Sequence, residues 1–444
     1  MVNSYTSASG YAIGKGRLQP FARIRYHRKA GVIITVCRWT HRYASAPGNA
    51  IMRALAVSLL LLITMIGLGW LLGPRTPAPP LPPELLGPDP DWLARAEQLG
   101  RLRRGLSLLH LLIVPLALWL FVSTGWSAAL RDWLASHGLR SSWLLVGGFS
   151  ILVVTGLTVL TWPLEYVALL LRRAYGLSNE TSVAWLVRQC KLLAVTLVLT
   201  LLAAEGLYWL LRTLPGWWWL PAALGAVLVS MALTYLQPYV ITPLFFKQTP
   251  LADESLRTAI QELGRRSGVP ISEVYVIDAS RQGNEGNAYF TGIGGATRVV
   301  LYDTLLRTYQ RDQLLTILAH ELGHWHYQHV WRALALSALT TPLGLGLIHL
   351  LLQRLLPSWN INTPADVAGP PLILLLITLG SYAVLPLQNA LSRHWERQAD
   401  RFALQATGDV AAFQRTFADL ARQNLSDPTP PPLYEAIFAT HPAI

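Results

Sequence analysis

Seven stretches of about 20 apolar residues decide most of what this chain can fold into: roughly 52–73, 106–126, 143–171, 192–211, 216–241, 333–353 and 370–390. Each is long enough, at about 1.5 Å per helical residue, to cross a hydrocarbon core about 30 Å thick. In lipid the backbone N–H and C=O groups must be satisfied internally, so such runs fold as helices. Hydrophobic residues make up 52% of the 444 and charged residues only 14%, which argues against two or three soluble domains. The expectation is a mainly α, seven-transmembrane-helix protein with spans 1–5 in 52–241 and spans 6–7 in 333–390.

A formal charge of +12 invites a nucleic-acid reading, but the distribution argues against one. Residues 1–51 carry eight Lys and Arg and no acid, and setting those eight aside leaves +4, an ordinary balance for a membrane protein. This leader has neither helical periodicity nor a signal-peptide layout, whereas Met52 is followed at once by Arg53 and an apolar run. Met52 is therefore the expected start, with a basic cytoplasmic arm as the alternative. Cys37 and Cys190 stand far apart, so neither a disulfide framework nor a thiolate metal site is expected.

Soluble structure must lie in 242–332 and 391–444. In the first segment "LADESLRTAIQELGRRSGV" and "RDQLLTILAHELGHWHYQHV" have helical spacing, and "EVYVI" and "RVVLY" read as strands. The expectation is a small α+β portion. In the second segment "LSRHWERQADRFALQATGD" continues the last span as a helix. Nine Lys and Arg in loops one and three against four in loops two, four and six place 242–332 and the C-terminus in the cytoplasm.

The chemistry sits in "AHELGHWHYQHV", residues 319–330. On a helix His320 and His324 leave one face and can bind one Zn²⁺, while Glu321 points beside the metal as a base for a metal-activated water. His326 and His329 lie well off that face on a continuous helix and read as surface or interface histidines. An open zinc site needs a third protein ligand. In "SRHWERQAD" Glu396 and Asp400 share a helix face, so one can coordinate while the other hydrogen-bonds a ligand histidine or assists proton transfer. Glu205, inside span four, is expected to face a cavity or to reach water. A non-enzymatic scaffold or chaperone with structural zinc is the competing class.

"ITPLFFKQTPL", "EGNAYFTG", "RVVLYDTLL", "HELGHW", "SRHWERQAD" and "THP" occur in an order and spacing that resembles the integral-membrane CAAX prenyl proteases, over essentially 52–444. The resemblance implies a zinc metalloendopeptidase with seven spans around a large chamber. It implies His320, His324 and Glu396 as ligands, Glu321 as catalytic base and Asp400 as partner of a ligand or proton donor. It also implies "NAYF" as an edge strand, where Asn287 and Ala288 pair with extended substrate. The direction of the Tyr289 side chain stays open. Phe246 stands where the family usually has asparagine, and the chain stops soon after His441, a histidine placed to hydrogen-bond an oxyanion but expected to be weakly ordered so near the end. A four-span heat-shock-type membrane protease shares the His-Glu motif but fits the span count less well. The implied partners are a peptide or protein substrate and the lipid bilayer. The Trp-, Leu- and Arg-rich composition points to a bacterial inner membrane, where removal of damaged membrane proteins is the expected task.

Overall fold

The computed structural model describes Asp89 and residues 91–291, 297–359, 361 and 363–442. The leader and the expected first span, 52–73, lie outside these residues. The other six apolar runs all become helices long and apolar enough to cross a membrane. They are α1 (Trp92–Ser123), α3 (Ser142–Ala174), α4 (Ser182–Thr213), α5 (Trp219–Leu236), α10 (His329–Leu355) and α11 (Pro370–Thr407), with the short α2 (Trp126–Ser136) between the first two. Side-chain caps set two of the starts. Ser141 Oγ accepts from the Leu144 N–H and Thr181 Oγ1 from the Ala184 N–H, satisfying donors that a helix leaves open.

α5 runs through a π-helical turn, Gln237–Ile241, into α6 (Thr242–Phe245). Pro238 in that turn has no N–H to give to the regular i−4 ladder. The bundle presents Val183, Leu202, Leu343 and Leu387 to its surroundings, each about 70% exposed, as lipid-facing side chains should be. Trp126, Trp133, Trp143, Trp209 and Trp217 are exposed at the end of the bundle shared by α2, the start of α3 and the α4–α5 connection, where amphipathic indoles suit a headgroup layer. Glu205 is half-buried on α4 against Gly147 of α3, and its Oε2 has no hydrogen-bond partner. It does not line the cavity that contains His320 and Glu396.

Between α6 and α10 lies the expected α+β portion. β1 (Gln248–Pro250), β2 (Ile271–Ile277), β3 (Ala288–Thr291) and β4 (Thr297–Tyr302) form one sheet in the order β1-β2-β4-β3. β2 and β4 are parallel, and β1 and β3 are antiparallel to their neighbours. α7 (Glu254–Arg266), capped by Asp253, and α9 (Arg311–His326) cover one face, joined to the sheet by α8 (Asp303–Thr308). Leu256, Ile260, Val274, Val299, Leu318 and Leu322 fill the shared core.

Two local departures from regularity place the site. Gln328 adopts a left-handed backbone with φ 54°, which breaks the expected continuous helix into α9 and α10. Gly323 of α9 lies against α11 so closely that a Cβ there would stand 2.8 Å from the Ala399 Cα. α11 does continue out of the last span, for 38 residues in all, and ends at Gly408 with φ 67°. α12 (Val410–Asn424) and α13 (Pro432–Phe438) follow. The buried pair of Arg104 and Asp427, 2.8 Å apart, ties this C-terminal part to α1.

Candidate metal centre

The crossing of α9 and α11 brings together two pairs of residues, each spaced four apart on a helix: His320 and His324, and Glu396 and Asp400. His320 Nε2 and His324 Nε2 are 3.2 Å apart. Glu396 Oε2 is 3.3 Å from the first and Oε1 is 3.6 Å from the second. Ligand bonds of about 2.0–2.1 Å set the ligand atoms of a tetrahedral ion about 3.3 Å apart, so these spacings, with Glu396 turning one oxygen to each histidine, are those of groups gathered around one such ion.

The outer hydrogen bonds say which nitrogens face inward. His320 Nδ1–H donates to Asp400 Oδ1 at 2.9 Å, which leaves Nε2 with a lone pair. His329 lies with Nε2 2.9 Å from Gln398 Oε1 and Nδ1 3.0 Å from His324 Nδ1. The amide oxygen can only accept, so His329 donates to it from Nε2 and accepts from the His324 Nδ1–H. His324 Nε2 is then also a lone pair. Two lone pairs and a carboxylate whose buried Oε2 accepts no hydrogen bond converge on one point, an arrangement that repels itself unless a cation sits there. The donor set of two imidazoles and one carboxylate suits a divalent ion such as zinc.

His329 takes the interface reading, but the sequence sets it too far from the His320/His324 face. It is not a surface histidine: it is only 4% exposed, stacked on Trp395 with ring centroids 5.1 Å apart, and bonded to His324. Extending the α9 periodicity five residues past His324 turns it away, and the left-handed Gln328 turns it back. His326 is exposed and packs on Phe402, and His394 is exposed on α11, both outside the cage.

Glu321 lines the same chamber, of about 670 Å³, as His320, Glu396 and Asp400. His441 is 3.4 Å from Glu396 Oε2 and also faces this chamber. Its segment is tethered despite its place near the end: Arg393 donates to the Glu435 and Ala439 carbonyls and Asn389 to that of Ile437. Asn287 and Ala288 line the chamber and Tyr289 does not. Tyr289 packs instead with Ile277 and Val300 on the other face of the sheet, where burial pushes its phenol pKa upward.

β3 is an edge strand, and its register shows which backbone groups are free. The Asn287 carbonyl accepts from the Tyr302 N–H, so Tyr289, two residues on, also turns its groups toward β4. Ala288 and Phe290 turn theirs to the open edge, although the Ala288 N–H is held by Asn287 Oδ1 at 2.8 Å.

A helical membrane bundle with this cage beside a sheet edge is the layout of a membrane-embedded metallopeptidase. Comparison with known proteins gives the family. A sequence model of Peptidase family M48 matches residues 250–444, and one described as CAAX prenyl protease N-terminal, five membrane helices, matches 81–247. The chain is 32% identical to a protein described as uncharacterized metalloprotease YhfN of Bacillus subtilis, over 80% of this chain and 84% of that one. It is 29% identical to CAAX prenyl protease 1 of Saccharomyces cerevisiae, over 65% and 67%. The crystal structure of Ste24p from S. mikatae superposes with a TM-score of 0.73 at 24% identity, covering 90% of this chain and 97% of that one. The chain belongs to Peptidase family M48, in the CAAX prenyl protease branch that joins the peptidase part to membrane helices. Neither the scaffold nor the four-span reading is favoured by these matches.

Proposed function

We propose that this protein is a zinc-dependent endopeptidase that hydrolyses peptide bonds of membrane-associated or apolar polypeptides at the cytoplasmic face of a bacterial inner membrane. The observation that carries the reading is the cage of His320, His324 and Glu396 with Glu321 in the same chamber. Zinc held there would supply a Lewis acid that activates water and polarises the scissile carbonyl. Asp400 and His329 fix the tautomers of the two ligand histidines. Glu321 takes the proton of the attacking water and delivers it to the leaving nitrogen. His441 donates a hydrogen bond to the oxygen that gains charge.

Substrate adds to β3 as a further strand, through the Ala288 carbonyl and both backbone groups of Phe290. Asn287 acts differently from a simple pairing residue, because its carbonyl is already bonded to Tyr302. Sidedness rests on Arg95, Arg101, Arg103, Arg104, Arg172 and Arg173 at the ends of α1 and α3 that adjoin the sheet, as positive residues favour the cytoplasm. Relatives named for prenylated C-termini suggest a lipidated substrate. In a bacterium, damaged membrane proteins fit the apolar requirement better.

The test is purified protein in detergent. It should hold one zinc and cleave an unfolded apolar peptide, and Glu321→Gln should keep the metal while losing about 10³-fold in rate. Undiminished turnover in that variant would refute the mechanism.

A further inference from the structure

The strand that the proposed substrate joins is held by a part of the molecule that the hydrolysis itself does not use. Hydrogen bonds tie the segment leading into β3 to the loop 175–181 between α3 and α4. The Ser178 Oγ–H donates to the Gln282 carbonyl at 2.6 Å, and the Asn284 N–H donates to the Leu177 carbonyl at 3.1 Å. The Asn284 side chain bridges two points of the loop: Nδ2 donates to the Gly176 carbonyl at 2.9 Å, while Oδ1 accepts from Asn179 Nδ2 at 3.0 Å. Between these bonds Gly283 is buried, so close to the loop that a Cβ there would stand 2.8 Å from the Leu177 oxygen.

The loop is a firm support. It leaves α3 through Gly176, whose φ of 75° is the left-handed conformation that glycine adopts without strain. Leu177 is 3% exposed and packs with Trp92 and Leu99 of α1 and with Ala418 and Ala421 of α12. The buried Glu180 carboxylate takes two N–H donors from Arg188, at 2.8 and 3.0 Å, and Arg173 Nε donates to the Glu180 carbonyl at 2.7 Å. From the other side, Gln423 of α12 donates to the Asn284 carbonyl at 2.7 Å. Asn284 is thus fixed at every polar group it has, four residues before Ala288 begins β3. Asn179 and Asn284 are exposed and neither lines the cavity that contains His320 and Glu396, so any effect they have on catalysis must pass through β3.

We propose that the α3–α4 loop, through Asn179 and Asn284, sets the open edge of β3 relative to the metal cage, which makes Asn284 a positioning residue for the hydrolysis. A displacement of about 1 Å in bound substrate can cost on the order of a hundredfold in rate, so an edge that carries substrate needs such a fixture. The membrane helices then supply part of the geometry of the site as well as its anchorage. This inference rests on the peptidase reading, with substrate added as a strand at β3.

The measurement is equilibrium binding of two fluorescent apolar peptides of one sequence to the zinc-loaded, full-length Glu321→Gln protein. One peptide has a free backbone, and the other is N-methylated throughout, which removes every backbone donor that strand pairing needs. The free-backbone peptide should bind about tenfold more tightly, the scale of one or two net hydrogen bonds. Asn284→Ala frees the segment and Gly283→Ala wedges it away from Leu177. Each should cut the preference to about threefold or less by weakening only the free-backbone peptide, with zinc affinity unchanged in competition with a chelator. Asn179→Ala should act in the same way but more weakly, and adding it to Asn284→Ala should change nothing further, because the two side chains share one bond. A full preference in both Asn284→Ala and Gly283→Ala overturns the proposal. Weakening of both peptides alike, or a loss of zinc affinity, overturns it too by making the loop a support of the whole fold, as do additive effects of the two asparagines. If the Glu321→Gln protein itself shows no preference, peptide does not add to β3 and the proposal falls with that reading. Turnover of the free-backbone peptide by unsubstituted protein reports separately on whether the chain is a peptidase at all.

Discussion

His320 and His324 have the same task but different supports. His320 leans on a carboxylate, Asp400, and His324 on a neutral imidazole, His329, which passes the hydrogen bond to Gln398. Replacing His329 by Phe keeps an aromatic ring over Trp395 but removes the acceptor that fixes the His324 tautomer. We expect His329→Phe to fold and to hold zinc about 10–100-fold more weakly, measured by competition with a chelator. Zinc affinity equal to that of the parent would show that His324 needs no such support. Glu396→Ala should lose most zinc, since it removes a donor, while Asp400→Ala should retain most of it and lose turnover. The reverse order would make Asp400 the ligand. The proposed roles of His320, Glu321 and His324 can be read in the sequence because metal chemistry would demand their residue types at a helical spacing. That of His329 cannot, because an αL glutamine carries no glycine or proline to announce it.

Elements were easier to find than their junctions. The six described spans and the strands β2 and β4 follow from apolar length and alternation, and they appear where those patterns put them. The break after α9 and the pairing order of the sheet depend on contacts far along the chain, and no local pattern encodes them. The α9–α11 crossing is the junction on which the site depends, and it turns on a glycine. At Gly323 any Cβ meets the Ala399 backbone at 2.8 Å, with the Ala399 oxygen and Phe402 Cβ at 3.2 Å, and backbone cannot swing aside as a flexible side chain would. The helices must separate, and the donors they carry separate with them. Gly323→Ala should therefore lower the thermal midpoint, by the 1–3 kcal/mol typical of overpacking, and weaken zinc retention in the same variant. A variant that loses stability yet binds zinc as before would mean that the cage tolerates a wider crossing.

At the scale of the whole molecule, the cage joins parts of the chain that the membrane helices alone do not bring together. α9 leads into the sixth expected span and α11 continues out of the seventh, with the connection 356–369 at the far end of the bundle. A metal bound by His320, His324 and Glu396 thus closes a loop of about seventy residues at the sheet end. Because it binds the assembled state and not the separated helices, it must stabilise assembly, by about 2.7 kcal/mol when free zinc is ~100 times its dissociation constant. The Gly323 contact and the core around Leu318 and Leu322 hold the same helices without it, so chelation should loosen the molecule and not unfold it. The thermal midpoint in detergent should fall on chelation and return when zinc is added. In Glu396→Ala neither treatment should move it, because the cage can no longer couple α9 to α11. A midpoint in the parent protein that ignores both chelator and zinc would show that the two helices are fixed by packing alone, and that metal serves the chemistry without serving the fold.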